Sequence, residues 1–597
     1  MTRRLAQGFC LLLLLFARAN LAVAVTSSIE PADPANKFLT PVAEDRSLEF
    51  YLENPDPLLH GLTDDEVLHL GERMYREGIL PSGQVMEALY GEMSVDSSAF
   101  SCESCHLRSG VGSVEGGVVT PAATGRKLYK PYIRPPSIQD RPDINGRYTY
   151  AKTIQKRPAY TRESLKEALR YGDDPAGTTF NGIMPRYPLT PSDMAILVRY
   201  LELLSAHDSP GASPTLIKFA TILTDDVSAA DREAMLVQLR RFVASQNHQL
   251  DMYRDFLKFG YKPTGDMKYS FRKTSLALWE LKGPPETWAK QLAAYYNADP
   301  VFAVLGGISN QSWQPIHDFC EAQRLPCLFP ITMLPVVDSD SWYTLYLNKG
   351  YFQEGEAAAR FLQPLLLKKP QGRILQLVQN SDAGRALAKG FSSVNQSAAK
   401  ATVERIEVTA ELLQDKTRLS RLIANIKPQF LFIWADAKIL PHLQDIAAQA
   451  AADASIFVSS SIMGAQLTTI PDSLRPQVYI TFPYRLKPYF GDEEGLGKLA
   501  PNPINTTYKN FADKRVATRT AVMLAQSVTQ GLRLLYDNLN RDYLIDVLSM
   551  QMDKIVFDYE RLSFGSGQRY ASKGCYILQI GPGPEPALIP RSPWVIR

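Results

Sequence analysis

Cys102-Glu103-Ser104-Cys105-His106 constrains this chain more than any other stretch. Two cysteines two residues apart, followed at once by histidine, are the attachment signature of a c-type haem. Each thiol forms a thioether to one haem vinyl group, which fixes the porphyrin against the backbone. His106 is then held under the iron as its proximal nitrogen ligand. A zinc half-site or a thioredoxin-like redox pair would use similar residues. A zinc ribbon needs a second ligand pair at suitable spacing, and Cys320 and Cys327 are distant and too widely spaced. A thioredoxin-like site follows a strand in a βαβ pattern, and no such pattern precedes Cys102. The motif therefore predicts one covalent haem c.

The N-terminus agrees with that expectation. Arg3 and Arg4 precede an apolar run, Gly8 to Ala17, with five consecutive leucines, and Ala22-Val23-Ala24 offers a small-x-small cleavage site. Residues 1–24 thus read as a signal peptide. Arg18 and Asn20 break the run short of the roughly 20 apolar residues a membrane span needs, so cleavage is favoured over anchoring. No later stretch is apolar enough to span a bilayer, and a periplasmic location is expected. Haem attachment takes place on that exported side. Cys10 falls in the removed segment. Cys320 and Cys327 have two open readings, a disulfide across a helix–strand corner or two buried thiols. Cys575 has no obvious partner. With 65 basic and 62 acidic residues and no basic cluster, nothing points to nucleic acid. At 597 residues several domains are expected.

Residues 25–45 are rich in Pro, Ala and Ser and read as an unstructured lead-in. In the haem-bearing region, residues 45–205, a first helix starts at Thr63, with Glu66 completing a capping box. Gly71 and Tyr75 share one face of it. A last helix starts at Thr190-Pro191 and presents Met194, Leu197, Tyr200 and Leu201. This region resembles the class I cytochromes c, which implies an all-α domain whose first and last helices cross at Gly71, Tyr75, Leu197 and Tyr200. The resemblance also implies that the Pro121 carbonyl orients the His106 ring. Asn181 to Tyr187 is similar to the family's Met-Pro loop, which implies Met184 as the second axial ligand of the iron and a six-coordinate haem. Met194 is a weaker rival, expected in the core, and His60, His69 and His207 read as surface residues. Residues 76–101 are an insertion relative to the family, read as a loop with a short helix around Gln84 to Gly91. Residues 126–160, including Arg134-Pro135-Pro136 and Arg147-Tyr148-Thr149-Tyr150, are either a wrap around the haem edge or a surface loop.

Residues 206–214 read as a linker by composition. From 215 to 597 short apolar runs alternate with amphipathic helical stretches. Strands are expected at Ile217–Leu223, Ser270–Leu278, Val301–Ile308, Cys327–Ile331, Tyr343–Leu347, Arg373–Val378, Glu404–Thr409, Phe430–Trp434, Ile456–Ser460 and Val478–Phe482. Such alternation argues for parallel sheets covered on both faces, in two lobes. The order Asp299 to Gly306, Leu325 to Pro330, Asn348 to Phe361 and Leu562 to Arg569 resembles the type I periplasmic binding proteins, the branched-chain amino-acid receptors of ABC importers. That resemblance implies a small-molecule cleft, with Ser309, Asn310 and Thr332 as ligand contacts, and an ABC permease as a partner. Ser309 can equally be a plain helix cap. Other anchors of that family are missing: Ala383 stands where an aromatic is expected. Trp313, Trp342 and Tyr346 are read either as cleft lining or as core.

The chain is thus expected to combine an all-α class I cytochrome c domain with a two-lobed α/β module. The expected function is electron transfer between periplasmic redox proteins. A six-coordinate haem leaves no open site for substrate, so no enzyme is expected. The alternative is a solute receptor or sensor whose haem tunes or reports redox state. A degenerate cleft serving as an interaction scaffold is a third reading. No hydrolase triad, phosphate loop or metal cluster is apparent in the sequence.

Overall fold

A computed structural model of the protein describes residues 47–115, 118–134, 155–260, 272–337, 341–369, 372–395, 403–486, 516–535, 538–550, 554–556, 559–564, 568–583 and 587–596. The expected signal peptide and lead-in, most of the 126–160 segment with Pro135, Pro136 and Arg147 to Tyr150, and Gly565 to Gly567 lie outside the described residues.

The N-terminal unit is built from α1 (Leu48–Glu53), α2 (Asp64–Glu77), β1 (Glu87–Tyr90), β2 (Met93–Asp96), α3 (Cys102–His106), β3 (Val114–Glu115), β4 (Val118–Val119), α4 (Gly125–Leu128), β5 (Tyr132–Arg134), β6 (Gln155–Arg157), α5 (Arg162–Arg170) and α6 (Pro191–Leu203). The Thr63 hydroxyl accepts the Glu66 amide while the Glu66 carboxylate accepts the Thr63 amide, so α2 starts with a full capping box. It ends at Gly78, whose φ of +67° is open to glycine. α2 and α6 cross at Gly71, where a Cβ would lie 2.4 Å from that of Tyr200, and the Tyr75 and Tyr200 rings pack beside the crossing. The unit is not all-α. Three antiparallel ribbons, β1–β2, β3–β4 and β5–β6, interrupt the helices. The Gln84–Gly91 segment expected to be helical is instead the first arm of a hairpin turning at Gly91 (φ +62°). Glu-Ala-Leu-Tyr suits a helix locally, but the turn glycine and the pairing with Met93–Asp96 decide otherwise.

The first lobe comprises β7 (Leu216–Thr224), α7 (Ala229–Lys258), β8 (Lys273–Leu281), α8 (Trp288–Ala298), β9 (Ala303–Leu305), α9 (Gln314–Ala322), β10 (Cys327–Leu328) and β11 (Thr344–Leu345). Its strands are parallel, in the order β8-β7-β9-β10-β11. The chain then enters the second lobe through α10 (Gly350–Lys368), β12 (Ile374–Gln379), α11 (Asp382–Asn395), β13 (Val403–Val408), α12 (Ala410–Gln414), α13 (Lys416–Ile426), β14 (Phe430–Trp434), α14 (Leu443–Gln449), β15 (Ser455–Ser459), α15 (Ser460–Met463) and β16 (Val478–Phe482). The order β13-β12-β14-β15-β16 repeats that of the first lobe: second strand, first, third, fourth, fifth. Each sheet therefore has a topological switch point, β7/β9 and β12/β14, with a crevice at the carboxyl ends.

The remaining elements stitch the lobes together. α16 (Val516–Leu535) packs on α7 and on α17 (Arg541–Ser549), and β17 (Lys554–Val556) pairs with β18 (Tyr559–Leu562). Residues 569–572 run beside β11, with Tyr346 N donating to Arg569 O and Ser572 N to Leu347 O. The chain then continues as β19 (Gly574–Ile580), antiparallel to β16, followed by β20 (Leu588–Pro590) and β21 (Val595–Ile596), which both pair with β19. The second sheet is thus mixed rather than parallel throughout, because its last strands arrive from the other lobe. The short crossings at 345–350 and 572–574 leave the carboxyl edge of the first sheet and reach the carboxyl edge of the second, so those edges are the ones the crossings join.

Candidate functional site

The Cys102–His106 helix is held at both ends. Leu107 ends it with φ of +62°, its carbonyl accepts Tyr75 OH at 2.7 Å, and the loop turns back so that Gly112 N donates to His106 O at 3.0 Å. Ser113 Oγ donates to Cys105 O at 2.9 Å. Gly112 approaches so closely that a Cβ would lie 2.1 Å from Thr120 O. This close approach delivers Pro121: its carbonyl lies 2.9 Å from His106 Nδ1. The proton is therefore fixed on Nδ1, and Nε2 is left as a free donor of a lone pair. Burial holds the His106 pKa below its ordinary value, against the raising effect of the Pro121 carbonyl. Cys102 is buried, with its sulfur 3.8 Å from Tyr187 OH, and burial pushes its thiol up to about 11. Cys105 is exposed.

Met184 lies partly buried against the same apolar cluster as Cys102, Met74 and Tyr187. Its loop is braced from three sides. Met184 N donates to Asn181 O at 3.0 Å. The Arg186 guanidinium donates to the carbonyls of Met184, Phe180 and Tyr171. Leu89 on β1 exchanges backbone hydrogen bonds with Arg186 at 2.8 and 3.0 Å. The 76–101 segment therefore supports the Met184 loop. Met194 is buried in the core, while His60, His69 and His207 are exposed. Two thiols on one helical turn, an oriented imidazole with Nε2 free and a braced thioether fit a covalently attached haem. Cys102 and Cys105 would hold the porphyrin, with His106 and Met184 as axial donors.

In the first lobe the switch-point crevice lies between the ends of β7 and β9. Ser309 and Asn310 stand at it. Ser309 is 2% exposed; its amide donates to Ile331 O at 3.3 Å and its hydroxyl accepts Gln311 N at 3.1 Å. Asn310 N donates to the Asp226 carboxylate at 2.8 Å, and Asn310 Nδ2 to Asp226 O at 3.1 Å. The Thr224 hydroxyl also donates to that carboxylate. The chain's own Asp226 thus occupies the backbone amide expected to meet a ligand carboxylate. Thr332 caps its own turn, accepting Leu334 N at 3.0 Å. The second crevice is built alike: Asp436 N donates to Gln379 Oε1 at 2.8 Å, and Gln379 Nε2 to Asp436 Oδ2 at 3.2 Å. Asp226, Gln379 and Asp436 were not singled out from sequence, although Gln379 ends an apolar strand run and the two aspartates lie two residues beyond one. Trp313 and Tyr346 are core residues rather than cleft lining, and Trp342 belongs to a different contact described below.

Glu354 on α10 lies beneath the carboxyl ends of β15 and β16. It accepts Ser459 Oγ at 2.9 Å and Thr481 Oγ1 at 2.5 Å. Burial pushes its carboxyl up to about 7, against the lowering effect of the Ser461, Thr481 and Ser459 donors.

The N-terminal unit docks on the first lobe beside the Cys102–His106 helix. Arg76 and Arg108 reach Asp542 at 3.5 and 3.6 Å, and Arg324 reaches Glu72 at 2.8 Å. Trp342 is flanked by the guanidinium groups of Arg108 at 4.5 Å and Arg569 at 3.8 Å. Cys320 and Cys327 are buried thiols in hydrogen-bond contact.

No family model matches the chain. No curated protein matches it either. Among solved structures, it is similar to an ABC transporter substrate-binding protein from Sphaerobacter thermophilus (12% identity, 64% of this chain and 98% of that one, TM-score 0.44). It is similar to a branched chain amino acid ABC transporter from Thermus thermophilus with bound valine (10%, 64% and 97%, TM-score 0.43). A fatty acid ABC transporter substrate-binding protein from Thermomonospora curvata shows 15% identity over 66% of this chain and 95% of that one, at a TM-score of 0.42. The C-terminal part of this chain is a two-lobed α/β fold. Among the described residues no helix is long and apolar enough to cross a membrane.

Proposed function

We propose that the chain is an exported solute-recognition protein of the type I periplasmic-binding kind that carries one covalent haem c. The support for recognition is the repeated strand order, which sets two switch-point crevices at the edges joined by the crossings. Asp226 and Asp436 make both crevices rich in acceptors, so the reading favours a ligand that offers donors over a free α-carboxylate. The observation that carries the haem is the 2.9 Å contact from His106 Nδ1 to the Pro121 carbonyl, behind two thiols on one turn. Bound haem supplies a reversible one-electron couple. The chain's residues would supply the rest: the His106 imidazole and the Met184 thioether would hold the iron, the apolar cluster around Met184 would exclude water, and the docked lobe lies against the attachment helix. Held there, the group would let the redox state be reported to or tuned by the module. A second reading, an electron carrier between periplasmic redox proteins, is favoured by the braced Met184 loop, whose thioether would take the position on the iron that a substrate would need. In both readings the protein is not an enzyme, and in the first an ABC permease is a partner.

The test is a pair of mass spectra, native and denatured, of protein exported from a host that matures c-type cytochromes. Haem mass that survives denaturation, and is lost in the Cys102→Ala/Cys105→Ala variant, is expected. Chain mass alone in the wild type would overturn the haem assignment. A further small mass, shed only on denaturation, is expected for the receptor; its absence from the native spectrum favours the carrier.

A further inference from the structure

Asp546 on α17 belongs to the C-terminal module, yet its Oδ2 accepts the backbone N–H of Ser109 in the N-terminal unit at 2.9 Å. Ser109 lies three residues beyond His106, in the 107–112 loop that folds back onto the His106 carbonyl. The carboxylate is 4% exposed. The charged and titratable groups facing it come from every element packed there. They are Asp542 on its own helix, Glu103 on α3, Tyr75 on α2 and Arg569 beside β11, with Arg76 on α2, Arg108 in the loop and Tyr343 before β11 set against Asp542. The three arginines are already engaged: Arg76 and Arg108 on Asp542, Arg569 on Trp342 and Ser549. Among the described residues no ion pair reaches Asp546.

We infer that Asp546, a residue of the solute-binding-like module, is the proton-binding group linked to the redox state of a haem held by Cys102, Cys105 and His106. This rests on the haem reading above. A buried carboxylate whose hydrogen-bond donors come from Ser109, with like charges beside it, holds its negative charge at a cost. Burial, Asp542 and Glu103 push it up to about 7, against Ser109. Reduction adds one electron from a one-electron donor to the iron and so one negative charge behind the same loop. The carboxylate then binds a proton more tightly. The balance is one electron to iron and one proton from water to an Asp546 oxygen, with no other bond made or broken. Linkage is reciprocal: protonation favours the reduced haem by the same factor as reduction favours the proton. Because α17 is part of the first lobe's support, the module senses the electron through this proton.

The experiment is potentiometric titration of the haem-loaded protein against pH, for the wild type and Asp546→Asn. The amide oxygen still accepts Ser109 N–H, so the loop is retained. The wild-type midpoint potential is expected to fall as pH rises around neutrality; each tenfold difference in proton affinity between the two redox states moves it by about 59 mV. D546N is expected to lose that slope and keep any slope from other groups. The reduced-minus-oxidised infrared spectrum gives a readout that needs no variant: a protonated-carboxyl band that shifts when aspartate is isotopically labelled. An equal slope in haem-loaded D546N, or no aspartate-derived band in the wild type, overturns this inference and leaves the haem reading intact. A chain that carries no covalent haem overturns both.

Discussion

Burial sets the chemistry of Glu354, and the consequence for stability has a definite sign. Its carboxyl is 0% exposed and titrates at about 7 in the fold against 4.5 in an open chain. Between those values the folded protein keeps a proton that the unfolded chain has released. Stability from this group is therefore complete below about pH 4.5 and lost as pH rises through 7. The difference amounts to about 3 kcal/mol at 1.36 kcal/mol per unit. Glu354→Gln removes the titration while keeping an acceptor for Ser459 and Thr481. Thermal melts across pH 4.5 to 7.5 are expected to converge toward a flatter profile in the variant. Wild-type and variant curves that stay parallel would exclude Glu354 as the group. Asp546 works in the same direction in an overlapping window, so the two substitutions should each remove a separate share of the slope.

At the scale of elements, the β1–β2 hairpin is the brace of the Met184 loop. Leu89 both donates to and accepts from Arg186, and the Arg186 guanidinium holds the Met184 carbonyl. Leu89→Pro removes the donor and the room for it, without touching Met184. In the haem-loaded protein the variant is expected to lose the ring-current-shifted Met184 methyl resonance while the two thioethers persist. A retained resonance would show that the loop holds itself. The hairpin also marks the limit of local reading. Its residues carry good helix propensity, and it is a strand because the turn at Gly91 pairs it with Met93–Asp96 and because Leu89 also bonds Arg186, far along the chain. The buried strands of both lobes were legible because continuous β-branched and aromatic runs leave little else to form: Phe430–Trp434 and Val478–Phe482 fall where the pattern puts them. α16 was legible but passed over, since Ala517, Ala521, Leu524, Val528, Leu532 and Leu535 form an i, i+3, i+4 stripe. At the sites, Cys102, Cys105 and His106 could be singled out because the motif is contiguous, whereas Pro121, 15 residues from His106, was expected only from the family resemblance. Asp226 against Asn310 could not, since the bond spans 84 residues and an aspartate after a strand has many fates.

At the scale of the whole molecule, the connector between the units decides whether the Cys102–His106 site and the C-terminal module can communicate at all. Residues 206–214 have the composition of a loose tether, but they are packed. Ser209 N donates to Leu539 O at 2.8 Å and Lys218 N to Gly211 O at 2.8 Å. Gly211 lies so close to the 301–302 backbone that a Cβ would stand 2.2 Å away. Arg541 locks the arrangement. Its guanidinium donates to the carbonyls of Pro210, Val301, Phe302, Gln323 and Arg324 and to Tyr296 OH, and its own amide binds Ser209 Oγ at 3.0 Å. One residue thus joins the connector, the amino ends of the first sheet and the turn that carries Arg324 to Glu72. Arg541→Ala leaves several buried carbonyls without a donor, at a cost of at least about 3 kcal/mol. Because these bonds are concentrated at the junction, the loss is expected to free the connector before it unfolds either unit. Under limited proteolysis the wild-type chain should resist cleavage at 206–214, whereas R541A should be cut there into two fragments, the smaller retaining the Cys102–His106 motif. In the haem-loaded variant the pH dependence of the midpoint potential should weaken in parallel, since Asp546 no longer lies fixed against Ser109. Cleavage at the connector with an unchanged pH dependence would mean that the haem senses protons within its own unit, and that the docked lobe is a passenger.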